Sequence, residues 1–190
     1  MLKELFTSKI RLRIIRLFLD NLSEEFHIRA ITRKVDTEIN AVRRELDNLE
    51  KIGLLKKSSE GNKINYSVKK DFLLLPELLV MFSKEYGLPA ELKRQVPTLG
   101  FVKYLAIHNS LLKKQTIPGK IDVIVVGNVS LVKLQKIMVE HQEKMGVELN
   151  YSVVSEDEFQ FFKSRNDKFF TDFVSRPFFM VVGDEGEFVK

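Results

Sequence analysis

The chain has 190 residues, 44% of them hydrophobic and 30% charged, with a formal net charge of +5 and no cysteine. This length accommodates one large domain or two small ones, and the composition is enough for an ordinary hydrophobic core without metal or disulfide staples. The lack of cysteine excludes disulfides, zinc–thiolate sites and thiol catalysis, and suits a reducing cytoplasm, the expected location.

The first twenty residues are studded with charge and have no apolar signal-peptide core; apolar runs such as Phe72–Leu75 are far too short to span a bilayer, so no membrane partner is expected. Ser8 is placed to cap a helix to about Leu19, with Ile10, Ile14, Leu17 and Phe18 on one side and Lys9, Arg13 and Arg16 on the opposite, solvated side. A short helix follows over roughly His27–Lys34. Asp36 or Thr37 then caps a third, reaching about Ile52, whose apolar residues Ile39, Val42, Leu46, Leu49 and Ile52 recur at helical spacing. Gly53 stops it. Leu54–Ser58 reads as a strand, Ser59-Glu60-Gly61-Asn62 as a turn, and Lys63–Val68 as a second strand with alternating Ile64, Tyr66 and Val68. Three helices and a hairpin over residues 1–70 are the winged helix-turn-helix plan.

Residues 71–97 read as a helical linker. Pro76 starts a helix to about Tyr86, Gly87 and Pro89 interrupt, Ala90–Gln95 is helical, and Pro97 and Gly100 mark a boundary. Residues 98–190 alternate: strands at Phe101–Ile107, Ile121–Val126 (closed by Gly127), Val147–Val154 and Phe178–Val182, helices at Ser130–Met145 and about Asp167–Val174, and a capping box at Ser155-Glu-Asp-Glu158 opening another. The expected fold class is α+β, a winged helix followed by a small α/β domain with a mixed sheet.

Charge is uneven. Residues 1–70 hold 16 Lys/Arg against 10 Asp/Glu, whereas residues 96–190 hold 12 of each. A local basic excess is the footprint of a polyanion binder. On the third helix, Asn40, Arg43, Arg44 and Asp47 lie opposite the apolar stripe. Arg bridges guanine O6 and N7, and Asn bridges adenine N6 and N7, so this face suits the major groove of double-stranded DNA. The bland alternative is a solvated face with Arg43 paired to Asp47 one turn on. Thr37, near the helix N-terminus, is a candidate phosphate contact through its hydroxyl and backbone N–H. Lys56, Lys57, Lys63 and Asn65 surround the hairpin turn and are candidate backbone contacts.

The segment FHIRAITRKVDTEINAVRRELDNLEKIGLLKK…GNKINYSV resembles the winged helix of ArsR- and MarR-type regulators over about residues 5–70, AVRRELDNLEKIGLL being its most specific part. The resemblance implies a transcription regulator that binds DNA as a homodimer. Residues 99–190 are similar in layout to the minimal nucleotidyltransferase domain of the DNA polymerase beta superfamily, through IDVIVVG (Ile121–Gly127), VELNYSVVSEDEF (Val147–Phe159) and the FMVVGDE ending, in that order. The active pattern of that family is Gly-Ser on a turn, then Asp-x-Asp, then a third carboxylate, which together hold two metal ions on the nucleotide phosphates. Here the corresponding positions are Asn109-Ser110, Lys120-Ile121-Asp122 and Asn150, with Glu148 nearby. Only Ser110 and Asp122 survive, and an ammonium at Lys120 repels a divalent cation. The resemblance therefore implies a catalytically degenerate domain, a sensor or interaction module whose effector is a nucleotide or a protein, with Lys113, Lys114 and Lys120 flanking the former phosphate loop.

No enzyme activity, cofactor or metal site is expected. His27, His108 and His141 are isolated from one another, and no local Ser, His and carboxylate arrangement is visible. Phe159, Phe161, Phe162, Phe169, Phe170, Phe173, Phe178 and Phe179 read as core or dimer interface. Two alternatives remain open at this level: an atypical but active nucleotidyltransferase targeted by its winged helix, and a winged helix that contacts protein instead of DNA.

Overall fold

The computed structural model describes residues 1–61 and 63–190. The chain forms two compact units, Met1–Phe82 and Ser83–Lys190, and among the described residues the strands form two sheets. No helix among those residues is long and apolar enough to cross a membrane.

The first unit opens with a single turn, α1 (Leu2–Leu5), which the sequence pattern did not announce. Helix α2 (Lys9–Asp20) begins at Ser8, whose hydroxyl accepts the Arg11 backbone N–H. It buries Leu12, Ile14, Ile15, Phe18 and Leu19, while Ile10 and Leu17 stay half-buried. The inner stripe is thus rotated from the expected one and is wider. His27 does not start the second helix. With Phe26 it forms β1 (Phe26–His27), and α3 runs Ile28–Val35. Helix α4 covers Ile39–Lys51, and its N-cap position is Glu38, without a side-chain cap bond. Asp36 and Thr37 do not cap it: Asp36, in the left-handed region at φ 48°, closes α3 by donating its N–H to Thr32 O. The α2, α3 and α4 helices pack on one another around Ile14, Phe18, Ile31, Val42, Leu46 and Leu49.

Strands β2 (Leu55–Glu60) and β3 (Lys63–Val68) pair antiparallel, and β1 adds to the far side of β3, giving the order β1-β3-β2. The hairpin is tighter than expected, because Ser59 and Glu60 continue the ladder opposite Ile64 and Lys63. Of the four residues read as its turn, Asn62 lies outside the described residues. Helix α5 (Leu75–Tyr86) starts one residue before Pro76 and carries the dividing point between the units.

In the second unit, α6 extends over Leu88–Leu99, longer than the expected Ala90–Gln95. Pro97 lies inside it, in its last turn. The bond its missing N–H forfeits would go to the carbonyl of Lys93, and both residues are exposed, so the loss falls on the solvent side of the helix. Then follow β4 (Gly100–His108), α7 (Asn109–Leu112), β5 (Val123–Val129), α8 (Leu131–Met145), β6 (Tyr151–Val154), α9 (Glu156–Ser164), α10 (Lys168–Val174), β7 (Phe178–Val182) and α11 (Glu185–Val189). The sheet order is β6-β5-β4-β7, with β5 and β6 parallel across α8 and the other pairs antiparallel.

Strand β5 is not closed by Gly127 but passes through it to Val129. The β4–β5 register shifts at Val102/Tyr104, and there Gly127 takes φ 144° with its backbone so close to Phe101 that a Cβ would lie 2.2 Å from the Phe101 oxygen. Glycine permits the irregularity instead of ending the strand. One sheet face, bearing Tyr104, Ala106, Ile124 and Val126, is covered by Phe159, Phe170, Phe173 and Phe188. Phe159 and Phe188 stack at 5.1 Å, and Phe159 meets Phe170 edge-on at 5.5 Å. Phe161 is half exposed and outside this core. The Ser155–Glu158 capping box forms as the sequence requires.

Candidate functional site

The exposed side of α4 is built from behind. Val42, Leu46 and Leu49 seat the helix on α2 and α3, and between them Glu45 is 8% exposed. Its carboxylate accepts the Ser8 hydroxyl at 2.6 Å and Arg11 Nε at 2.9 Å. Burial works to raise the Glu45 pKa, but the Ser8 hydroxyl and the Arg11 guanidinium outweigh it and hold the group below the ordinary carboxylate value. Ser8 therefore does two jobs, capping α2 and clamping α4. Sequence reading missed Glu45, although a carboxylate in the apolar stripe of an amphipathic helix was a signal that a buried partner had to exist.

With α4 held this way, Asn40, Arg43, Arg44 and Asp47 face outward and are exposed. Asp47 pairs with Lys57 at 3.3 Å, not with Arg43. Arg43 and Arg44 make no ion pair among the described residues, so both forks are open to a ligand. Thr37 lies one residue before the Glu38 cap position, and its backbone N–H is directed at Thr32 O at 3.4 Å. The amide is thus committed to the end of α3 and, unlike the sequence expectation, is not available to a phosphate.

In the hairpin, Lys56 and Lys63 are exposed. Lys57 instead bonds Glu50 and Asp47 on α4 and lies 5.8 Å over the Tyr66 ring. The Glu50 bond foremost keeps its ammonium above the ordinary lysine value. It is a strut between β2 and α4. Asn65 is half-buried in the middle strand, opposite His27 on one side and Ser58 on the other. Glu25 holds the base of the hairpin, accepting the hydroxyls of Ser58 at 2.8 Å and Ser67 at 3.2 Å.

The five motif positions of the second unit gather where β4 ends and β5 begins. His108 N donates to Asp122 O at 2.9 Å, continuing the ladder one step beyond Ile107↔Val123. Asn109 and Ser110 open α7, and Lys120 precedes β5 by three residues. Asp122, fully buried, accepts the Asn150 N–H at 3.0 Å, and its own N–H donates to Asn150 O at 2.7 Å. Asn150 thus meets Asp122 through its backbone. Glu148 is exposed. Burial pushes the Asp122 carboxyl above its ordinary value against the pull of the Asn150 N–H and Arg176.

No local pattern in the chain points to the groups that cover this place. Asp172 on α10 bonds Lys120 and pairs with Arg176 at 3.6 Å, and Arg176 Nη2 donates to Ile121 O at 3.2 Å. The His108 ring lies 4.2 Å from that of Phe173, and its Nδ1 meets Pro177 O at 3.1 Å. Burial, then Arg176, lowers the imidazole pKa. Chemically, Lys120 is neutralised within the chain, and Asp122 has a guanidinium neighbour.

No protein-family model matches the chain, and no curated protein matches it. Similar solved structures include reduced HlyU from Vibrio cholerae N16961, at 19% identity over 45% of this chain and 84% of that one, with a TM-score of 0.36. NolR from Sinorhizobium fredii is similar at 28% identity over 43% of this chain and 76% of that one, with a TM-score of 0.35. TrmBL2, described as an archaeal chromatin protein with a novel mode of DNA binding, is similar at 12% identity over 92% of this chain and 74% of that one, with a TM-score of 0.32.

Proposed function

We propose that the chain is a cytoplasmic transcription regulator that binds double-stranded DNA sequence-specifically as a homodimer, through residues 1–70. The observation that carries this reading is the outward face of α4, with Asn40, Arg43 and Arg44 exposed and both arginines free of ion pairs among the described residues, while Glu45 anchors the helix from within. Arg43, Arg44 and Asn40 read base edges in the major groove. Lys56 and Lys63 neutralise phosphates beside it, Thr37 adds a hydroxyl to a phosphate, and Asn65 is a further contact to the DNA backbone from the hairpin. Lys57 acts on DNA only through the position of the hairpin it braces.

Residues 98–190 serve, in the same reading, as a degenerate nucleotidyltransferase-like module that senses an effector or contacts a partner, joined through residues 71–97. Lys120, tied to Asp172, stands where a metal-binding carboxylate would be needed. Selection of genomic fragments by the purified full chain at physiological salt tests DNA binding and yields the operator. Recovery of no enriched sequence, or retention that ignores salt, refutes the reading and favours a protein-contacting winged helix.

The second reading is an atypical nucleotidyltransferase. It is favoured by one observation, a buried Asp122 kept at the start of β5. Magnesium-dependent transfer from labelled nucleoside triphosphates, abolished by Asp122→Ala, would establish it. Its absence leaves the regulator reading standing.

A further inference from the structure

Among the described residues, four buried side-chain atoms lack a hydrogen-bond partner: His108 Nε2, Ser110 Oγ, Asp122 Oδ1 and Arg176 Nη1. All four belong to one place in the fold. His108 and Asp122 are opposite each other in the antiparallel β4–β5 ladder, so their side chains share one sheet face with Cβ atoms about 4.5–5.5 Å apart. Ser110 lies in the first turn after His108. The Arg176 guanidinium is anchored by its other nitrogen on Ile121 O, beside Asp122. Orphaned polar groups are rare in folded proteins, and a group of four in one spot signals a shared partner.

The hydrogen-bonding sense of each atom can be assigned. Pro177 O only accepts, so His108 Nδ1 carries the proton, and in the neutral ring Nε2 is an acceptor. Asp122 Oδ2 takes the Asn150 N–H, leaving Oδ1 as a second acceptor. Arg176 Nη1 is a donor, and the Ser110 hydroxyl donates by rotation. The partner must therefore donate twice and accept from Arg176, and the Ser110 hydroxyl can rotate to donate to it.

We infer that His108, Ser110, Asp122 and Arg176 form a binding site for a single water molecule, which donates to Asp122 Oδ1 and His108 Nε2 and accepts from Arg176 Nη1 and Ser110 Oγ. The chemistry excludes other occupants. A metal ion would have one imidazole and one carboxylate beside a guanidinium, and no three His, Cys, Asp or Glu side chains gather among the described residues. An anion would face the Asp122 carboxylate and the His108 lone pair. Each of the four atoms is sealed from solvent and Phe173 packs against the imidazole, so an organic guest has no open entry. Four bonds are at the upper end of what internal waters make, so this one is held firmly.

The site ties three separate segments together: the end of β4, the start of β5, and the chain leaving α10. Asp122 then has a structural use that needs no metal, with Arg176 as the fixed cation beside it. That this cation takes the place of a catalytic metal ion rests on the nucleotidyltransferase-like reading. The water does not.

A crystal structure of the full chain at about 1.8 Å or better tests the inference directly. A single-oxygen density peak within hydrogen-bond distance, about 2.6–3.2 Å, of at least three of the four atoms is expected. Direct bonding among the four atoms, a dry gap, or density larger than one oxygen overturns it. In solution, oxygen-17 relaxation dispersion counts long-lived internal waters. Asp122→Leu is expected to lower the count by one relative to the parent, and an unchanged count in a folded variant overturns the inference. If that variant does not fold, the parent crystal structure decides. Either result is independent of whether the protein binds DNA or transfers nucleotides.

Discussion

Replacing Glu45 by Gln isolates the charge that clamps α4. The carboxylate accepts from Ser8 at 2.6 Å and Arg11 at 2.9 Å, with the Glu45 side chain 11% and the Arg11 side chain 36% exposed. A hydrogen bond to a charged group contributes about 1.5–3 kcal/mol, and a partly solvated ion pair contributes at most about 1 kcal/mol. Gln keeps the shape but offers one acceptor oxygen, and its amide nitrogen turns a donor toward either Ser8 or Arg11. A loss of about 2 kcal/mol follows, which for a unit of 82 residues lowers Tm by roughly 8–16 °C. Thermal unfolding of the full chain followed by circular dichroism at pH 7 measures it. The sign of the pH dependence sharpens the test. Because the folded-state pKa of Glu45 lies below its ordinary value of 4.5, its contribution is complete above that value and is lost as pH falls through the folded pKa. Parent and variant should converge in strong acid. An unchanged Tm at pH 7, or a gap that stays constant down to pH 3, would refute the argument that the charge holds the helix.

Arg44→Ala should weaken binding to the selected operator by about 1–3 kcal/mol while sparing non-specific DNA, as read by fluorescence anisotropy on both duplexes; equal loss on both would remove Arg44 from base readout. Lys63→Ala should weaken binding to all sequences alike and reduce the salt slope by about 1, and an unchanged slope would place it off the phosphates. Asp122→Asn should match or exceed the parent in Tm at pH 7, because the folded pKa of Asp122 is raised by burial and the stability it contributes when protonated is lost as pH rises through that pKa; a clear drop in Tm at pH 7 contradicts this. Phe173→Ala, in a side chain 1% exposed that touches His108, Phe178 and Phe188, should cost the second unit about 3–5 kcal/mol in denaturant unfolding; a loss under about 1 kcal/mol would mean the aromatic core is not packed as described.

The elements that sequence reading located best are those whose signals are local. Ser8 as a cap, the Ser155–Glu158 capping box and the bounds of the Lys63–Val68 strand all depend on residues within a few positions of one another, although Ile64 is exposed and Ser67 buried, so burial in that strand does not alternate. Errors arose where distant chain segments decide. Phe26–His27 became a strand because β3 offers it an edge, and Gly127 stayed inside β5 because β4 bulges beside it. The outward side of α4 was legible from its helical period. The status of each cation was not: among the described residues Arg43 and Arg44 make no ion pair, while Lys57, identical to Lys56 in type and adjacent in the chain, is held by Glu50 and Asp47.

By itself, then, the order of residues determined the two-part plan, the helical periods, the caps and the surplus of positive charge in the first seventy positions, since propensity and amphipathicity act over a turn or a strand. Only the tertiary structure decided that Glu45 faces inward onto Ser8 and Arg11, that Asp172 reaches Lys120 across 52 positions, and that His108, Ser110, Asp122 and Arg176 share one sealed polar spot. The reason is physical: whether a charged or polar group is solvated, paired or orphaned depends on which remote segment displaces its water, and that information does not exist until the chain has packed.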